Sequence, residues 1–251
     1  MSIPVTVITP VFNAEATLGR CIESVQSQNV DTQHIIVDGL STDASLSVAG
    51  HYKRKSDLII SESDKGIYDA INKGISYSEG KIIAILNSDD YYLHQDTLKR
   101  VIEHFDEGVQ IVYGGTRYFT QGDDKYVDYL PSEYFGAGSF SAGWCPPHPS
   151  FFVLRSCYEE GGVFDISLKV AADFDIMLRF FEFNMFRSVR MDKVVVGMSA
   201  GGYSSKLTSI YRGMNEIKTS FRKQGLKVPK GYFLKRYTRK FIERKMSLLR
   251  G

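Results

Sequence analysis

The chain has 251 residues, 43% of them hydrophobic and 24% charged, with 22 glycines and a net charge of +2. That composition suits one large α/β domain with a sizeable core, and it excludes disordered, collagen-like and disulfide-framework classes. The longest aliphatic run, residues 82–86, falls far short of the roughly 20 apolar residues a membrane-spanning helix needs, and no basic start followed by a long apolar stretch reads as a secretory signal.

The charge is unevenly placed. Of the 31 basic residues 12 lie from Lys218 onward, against one of the 29 acidic ones, Glu243. An acidic body with a basic tail points to an anionic surface as partner for the tail. Cys21, Cys145 and Cys157 are odd in number and lack metal-ligand spacing, so they read as reduced core thiols of a cytoplasmic protein.

In chain order, the run from Ile3 to Thr9 reads as a central parallel strand, with Pro10 to Asn13 as the loop after it. Ala14 to Gln28 follows as a helix, then a strand ending at Asp38, and then a helix capped by Asp43. "DLIIS" gives a third strand, and Ile67, Ala70, Ile71, Gly74 and Ile75 mark a third helix by their spacing. "KIIAIL" is the fourth strand. Three successive strand-helix-strand units make a mainly parallel sheet flanked by helices, with right-handed crossovers. Beyond Tyr92 the pattern is mixed: a helix near 96–105, a strand near 109–113, a loop "CPPH" entering a buried strand, and a helix over "AADFDIMLRFFEF".

Ligands of open parallel sheets sit beyond the carboxyl ends of the strands. That rule gathers Pro10 to Asn13, Asp38 to Asp43, Ser61 to Lys65 and Asn87 to Asp90 along one edge. Ionised Asp89 and Asp90 belong at the rim, because stripping water from an unpaired carboxylate costs many kcal/mol. One or two such carboxylates suit a hard divalent cation, Mn²⁺ or Mg²⁺, whose other ligands are water and phosphate oxygens. A solvated turn capping the next helix accounts for an Asp-Asp pair equally well.

"TPVFN", "IIVDGLSTD", "SESDKGIYDAINKGISYSEGKIIAILNSDD", "HPSFFVLRSCYEEGGVFD" and "AADFDIMLR" together resemble the family 2 glycosyltransferases of the GT-A fold over residues 3–205. The resemblance implies a nucleotide-sugar donor, a divalent cation and inversion at the anomeric carbon. It implies that Thr9, Pro10, Val11 and Asn13 line the nucleobase pocket with Asp38, and that Asp64, Lys65, Tyr68 and Asn72 border the nucleotide. Asn87 and Ser88 fall among the nucleotide-binding residues, with Asn87 standing where the family usually has Asp, which leaves the ribose or metal contact at that position weaker or rearranged, and Asp89 matches the metal-binding acid. Asp173 matches the general base. It lies about 200° around a helix from Asp175, so only one of the two faces the site. His148, Asp90, Trp144 and Ser204 are candidate acceptor or phosphate contacts, as are Arg117 and Arg155, and the loop 201–205 is suited to close over the diphosphate with its backbone amides.

The expected division is a catalytic domain over 1–217, with a nucleotide half to about 92 and an acceptor half after it, and a basic amphipathic helical tail over 218–251. In the tail Leu234, Tyr237, Phe241 and Leu248 form one stripe among Lys and Arg. This is the pattern of a helix lying on anionic lipid, peripheral to the inner face of the plasma membrane, where a lipid-linked acceptor would be met. A helix packed on the catalytic domain or on a second copy of the chain is the alternative. Nucleic acid is not expected, since the aromatics share the apolar stripe. Two other functions fit an α/β sheet with acidic loops: a sugar nucleotidyltransferase and a non-catalytic nucleotide-binding or signalling domain. The first would carry a basic glycine-rich loop after the first strand, where this chain has "PVFNAEATLG".

Overall fold

Strand β1 (Val5–Val11) is buried along its whole length and is the axis of the sheet. In the computed structural model, which describes residues 4–119, 126–131, 136, 138–199 and 207–239, β1 pairs in parallel with β2 (Thr32–Asp38) on one side and β4 (Ile82–Ile85) on the other. β2 pairs in parallel with β3 (Leu58–Ser61). The connecting helices are α1 (Leu18–Gln26), α2 (Ser45–Tyr52) and α3 (Ile67–Ser76).

The second half departs from the parallel pattern. After β5 (Tyr91–Tyr92) and α4 (Thr97–Glu103), β6 (Ile111–Phe119) runs parallel to β9 (Ser188–Ser199). β8 (Phe151–Leu154) pairs antiparallel with both β4 and β6, while β7 (Tyr126–Tyr129) takes over along β6 where β8 stops. The strand order is β3-β2-β1-β4-β8-β6-β9-β5, with β7 beside β6. α5 (Arg155–Gly161), α6 (Ala172–Leu178) with a π turn over Arg179–Phe183, α7 (Leu207–Lys223) and a helical stretch over residues 232–239 complete the described chain. The expectation of a mainly parallel sheet thus holds for β3-β2-β1-β4, and the rest of the sheet is mixed.

Side chains alternate across the sheet. Ile8, Ile83, Ile85, Ile111, Tyr113, Phe151 and Val153 face one layer with α3, α5, α6 and α7. Val5, Val7, Ile82, Ala84, Val112 and Phe152 face the other, with α1 and α4. Both faces being covered, the strands read as unbroken apolar runs rather than alternating ones. Truncating one of these buried isoleucines to Ala costs about 2–5 kcal/mol.

Several boundaries differ from the expected ones. β1 runs on through Pro10 to Val11. Pro10 is tolerated because pairing with β4 ends at Ile8, leaving no ladder partner on that side for its missing N–H. α1 starts at Leu18 rather than Ala14, because residues 13–15 are tied to the next loop. The N-cap of α2 is Ala44 and not Asp43, whose Oδ1 accepts the Ser45 N–H at 2.9 Å from one residue further back. The division drawn after residue 217 falls inside α7, which continues to Lys223.

His34 lies in the middle of β2, fully buried, with Nε2 2.9 Å from the Thr9 hydroxyl. Burial pulls its pKa down from 6.5 to about 4, with Asp57 opposing the drop and Arg54, ion-paired to Asp57 at 3.0 Å, adding to it. The unfolded imidazole therefore takes up a proton at a pH where the folded one stays neutral. Stability is expected to fall as pH drops from about 6.5 to about 4, by on the order of 3 kcal/mol, and to level off below. Urea midpoints for His34→Gln are expected to lose this part of the pH dependence; an unchanged slope would remove His34 as its source.

Candidate active site at the carboxyl edge of the sheet

The strand order turns back between β1 and β4, so the loops that follow these two strands diverge and leave a cleft. One wall is a zipped pair of loops. Asn13, in a left-handed conformation (φ 50°), donates its N–H to the Ser41 hydroxyl at 2.9 Å, and its side-chain oxygen accepts the Thr42 N–H at 2.9 Å. Ala14 and Glu15 donate to Ser45 Oγ and Asp43 Oδ2. Asp38 is buried, and its carboxylate accepts the Ser61 hydroxyl at 2.7 Å and the Ser41 N–H at 3.2 Å. Asp64 accepts the Gly66 N–H at 2.7 Å and lies directly over Gly39, where a β-carbon would come within 2.4 Å of its Oδ2. Gly39 is what lets the β2 and β3 loops meet. Pro10 and Val11 are buried beneath them, and Lys65 is exposed above, its N–H bound by Asp69.

The turn after β4 forms the floor. Asn87, Ser88 and Asp89 are half-buried, and Asp90 is 2% exposed. Asn87 Nδ2 donates to Asp90 Oδ2 at 2.9 Å. Burial and the neighbouring Asp89 push the Asp90 carboxyl well above its ordinary range, against the pull of this bond and of Arg20. An Asp at 87 would set two carboxylates face to face here, which explains the amide at this position. Two residues not anticipated from sequence hold the turn from outside: Arg20 Nη2 and Ser199 Oγ both donate to the Asp89 carbonyl, at 3.2 and 3.3 Å. Arg20 also lies over the Tyr91 ring at 4.2 Å.

The first turn of α6 holds Asp173, half-buried, and Asp175, buried and ion-paired with Arg179 at 3.0 Å. Glu216 of α7 fixes the approach to α6 by accepting the N–H groups of Lys169, Val170 and Ala171 at 2.8–3.0 Å. Tyr68 of α3 reaches over to donate to the Val170 carbonyl at 3.0 Å. Burial and then the Asp173 charge raise the Tyr68 phenol well above its ordinary value. His148 opens the short turn His148–Ser150 before β8, edge-on to Phe164 at 5.6 Å. Its Nε2 is enclosed and has no hydrogen-bond partner among the described residues; burial lowers its pKa and Asp173 opposes the shift.

Several expected contacts are not available. The Thr9 side chain points away from the cleft, buried against His34 and Cys21, because odd-numbered residues of β1 face α1. Both ends of the Asn72 amide are bound to the backbone of Phe164, at 2.8 and 3.0 Å, so it ties α3 to the loop before α6 instead of bordering a nucleotide. Asp90 is turned inward and satisfied by Asn87. Trp144 is 1% exposed within a cluster of Tyr113, Phe140 and Phe181, and so is a core residue. Arg155 follows β8 at the opposite edge, donating to the Ser78 carbonyl, and Arg117 is held by two hydrogen bonds to Asp128. Ser204 and the loop 201–205 lie outside the described residues.

No cluster of three or more His, Cys, Asp or Glu side chains gathers to hold a metal among the described residues. In the turn after β4, Asp89 offers one half-buried carboxylate. That donor set fits a cation held jointly with phosphate oxygens and water, and does not fit a metal caged by protein.

Comparison with known proteins identifies the family and the fold. The profile described as glycosyl transferase family 2 matches residues 6–159. A PGL/p-HBAD biosynthesis glycosyltransferase of Mycobacterium bovis (strain BCG / Pasteur 1173P2) is 30% identical over 188 residues, 70% of this chain and 69% of that protein. In structure, the chain superposes on S. aureus TarS 1-349 in complex with UDP-GlcNAc with a TM-score of 0.68 and 18% identity, covering 87% of this chain and 66% of that one. The mannosyltransferase PcManGT of Pyrobaculum calidifontis, in complex with GDP-Man and Mn²⁺, gives 0.68 and 19%, over 92% and 67%. Those two likenesses are of fold, the GT-A arrangement of a mixed sheet between helical layers. The chain belongs to glycosyl transferase family 2.

Proposed function

We propose that the chain transfers a sugar, with inversion, from a nucleotide diphosphate sugar, UDP-sugar favoured, to a hydroxyl of a glycan or lipid-linked acceptor in surface polysaccharide or glycolipid assembly. What supports this reading is the family match together with two half-buried carboxylates, Asp89 in the turn after β4 and Asp173 at the start of α6, each beside an acidic residue that is buried and hydrogen-bonded. The cation-bearing neighbour with a nucleotide sugar supports it by analogy.

In this proposal the loops at Pro10, Val11, Asp38 and Asp64 enclose the nucleobase, Asn87 and Ser88 meet the ribose, and Asp89 holds the cation. A bound Mn²⁺ or Mg²⁺ supplies neutralisation of the charge that builds on the departing diphosphate. The acceptor oxygen bonds to the anomeric carbon opposite the diphosphate, and the carbon–oxygen bond to the diphosphate breaks, its electron pair leaving with the nucleotide. The acceptor proton passes to Asp173. His148, kept neutral by burial, borders the acceptor. The helical stretch 232–239 turns Leu234 (71% exposed) and Tyr237 (46% exposed) outward beside Lys235, a patch suited to anionic lipid. No helix among the described residues is long and apolar enough to cross a membrane.

Three outcomes are expected. In a thermal-shift panel of UDP, UDP-glucose, UDP-GlcNAc and GDP-mannose, a ligand at a hundredfold excess over Kd raises Tm by about 5 °C or more with Mn²⁺ present; Asp89→Asn removes the Mn²⁺-dependent part, and a panel with no shift under any metal condition refutes the reading. Asp173→Asn keeps the nucleotide shift and loses turnover by about 10²–10⁴-fold; retained turnover removes it as base. Leu234→Glu with Tyr237→Glu lowers sedimentation with phosphatidylglycerol vesicles, and equal sedimentation excludes this patch as a lipid contact.

A further inference from the structure

The segment that follows β4 is laid along one flank of α1. Arg20, Ser24 and Gln28 recur at intervals of four, with Cys21 beside them, so their side chains share a face of α1 and the turn after it. All four reach the same stretch of chain. The Cys21 thiol donates to the Asn87 carbonyl at 3.4 Å, and the Ser24 hydroxyl accepts the Tyr92 N–H at 3.1 Å. Gln28, 8% exposed, donates to the His94 carbonyl at 2.9 Å and accepts the Leu98 N–H at 3.0 Å.

Asp89 is held more firmly than its neighbours. Its carbonyl takes two side-chain donors, Arg20 Nη2 at 3.2 Å from α1 and Ser199 Oγ at 3.3 Å from the end of β9. A trans peptide unit is planar, with its C=O and N–H on opposite edges. The other edge of this same plane is the Asp90 N–H, which donates to the Asn87 carbonyl at 3.0 Å. The plane joining Asp89 to Asp90 is therefore gripped on both edges, on one by groups 69 and 110 positions away and on the other by the turn itself. With this plane and the Asn87 carbonyl both anchored, little freedom is left at the Cα of Asp89, from which its carboxylate projects.

Arg20 is itself kept in place although it is exposed. Its guanidinium lies 4.2 Å over the Tyr91 ring, which is stacked on Phe119 at 5.7 Å. Tyr91 can lie there because residue 197, its partner in β9, is glycine: a β-carbon at 197 would come within 2.7 Å of the Tyr91 Cζ. The grip on Asp89 is thus built from α1, β5, β6 and β9 together.

We propose that Arg20 and Ser199 are positioning residues for Asp89, which set its carboxylate before a cation arrives. Partners that orient a metal ligand from behind typically matter about 10–100-fold in metal affinity. The effect on the cation rests on Asp89 being its ligand; the grip on the peptide plane does not.

The test compares Arg20→Met, Ser199→Ala and the double variant with the parent chain, following thermal shift at saturating UDP as Mn²⁺ is titrated. Each single variant is expected to raise the Mn²⁺ midpoint about threefold and the double variant about tenfold, with the effect of UDP in chelator unchanged. A general loss of stability lowers Tm at every Mn²⁺ concentration and leaves the midpoint in place, so an unmoved midpoint in the double variant overturns the positioning role. Removing a positive charge near the site would by itself tighten cation binding, so a lowered midpoint in Arg20→Met overturns that residue's part. Ser199→Ala removes no charge and tests the grip alone. Hydrogen exchange at the Asp90 amide reads the plane with neither metal nor nucleotide present: exchange about tenfold faster is expected in the double variant, and unchanged exchange overturns the grip. A Mn²⁺-dependent shift that survives Asp89→Asn brings down the cation assignment and with it the positioning role, while exchange at Asp90 still judges the grip.

Discussion

Everything at the carboxyl edge follows from the place where the strand order reverses, between β1 and β4. The first crossovers lay α1 and α2 on one side of the sheet, and α3 then passes over the other side to deliver β4 against the free edge of β1. The polypeptide after β1 is drawn toward β2 and the polypeptide after β4 toward β5 and β9, so neither can fill the gap between them. Backbone and side-chain polar groups at these strand ends must find one another or water. The network of Asn13, Ser41, Thr42, Asp43 and Ser45 is the first solution, and the half-buried turn at 87–89 is the second.

Acidic residues occur there in close pairs, and each pair is divided by its surroundings. Asp89 and Asp90 are adjacent, but the second is tucked under the turn and bonded to Asn87. Asp173 and Asp175 start the same helix, but the second is closed off by Arg179. Two ionised carboxylates left together in a cleft would repel each other and raise one another's proton affinity. Here burial and the neighbouring Asp89 disfavour the charge of Asp90, a guanidinium pairs with Asp175, and Asp89 and Asp173 stay half-buried. The amide at 87 therefore suits its buried neighbour as much as any ligand.

The first four strands were legible because their signals are local. A buried parallel strand is a run of β-branched residues, α3 shows its face by spacing alone, and the half-turn between positions 173 and 175 separates them in any helix. The partners that redirect a side chain were not legible, since they come from far along the sequence. Thr9 is turned toward His34 by the register of β1 with β2, Asn72 is captured by the backbone of Phe164, and Trp144 is drawn into a ring cluster assembled from β6 and the π turn. Glycine at 143 looks like any turn residue until the segment at 236 is seen against it. The basic tail showed its outward stripe in sequence, but Tyr232 and Arg236, which bind it to the body, lie off that stripe.

The three N–H groups of residues 169–171 are gathered by a carboxylate at position 216, more than 40 positions later. A ribosome making this protein finishes β1 through β4 early, and those strands can pair with one another at once. The start of α6 has one early partner, Tyr68 of α3 on the Val170 carbonyl. Its N–H groups wait for α7 to emerge, so the segment bearing Asp173 is the last part of the site to gain its full set of backbone hydrogen bonds.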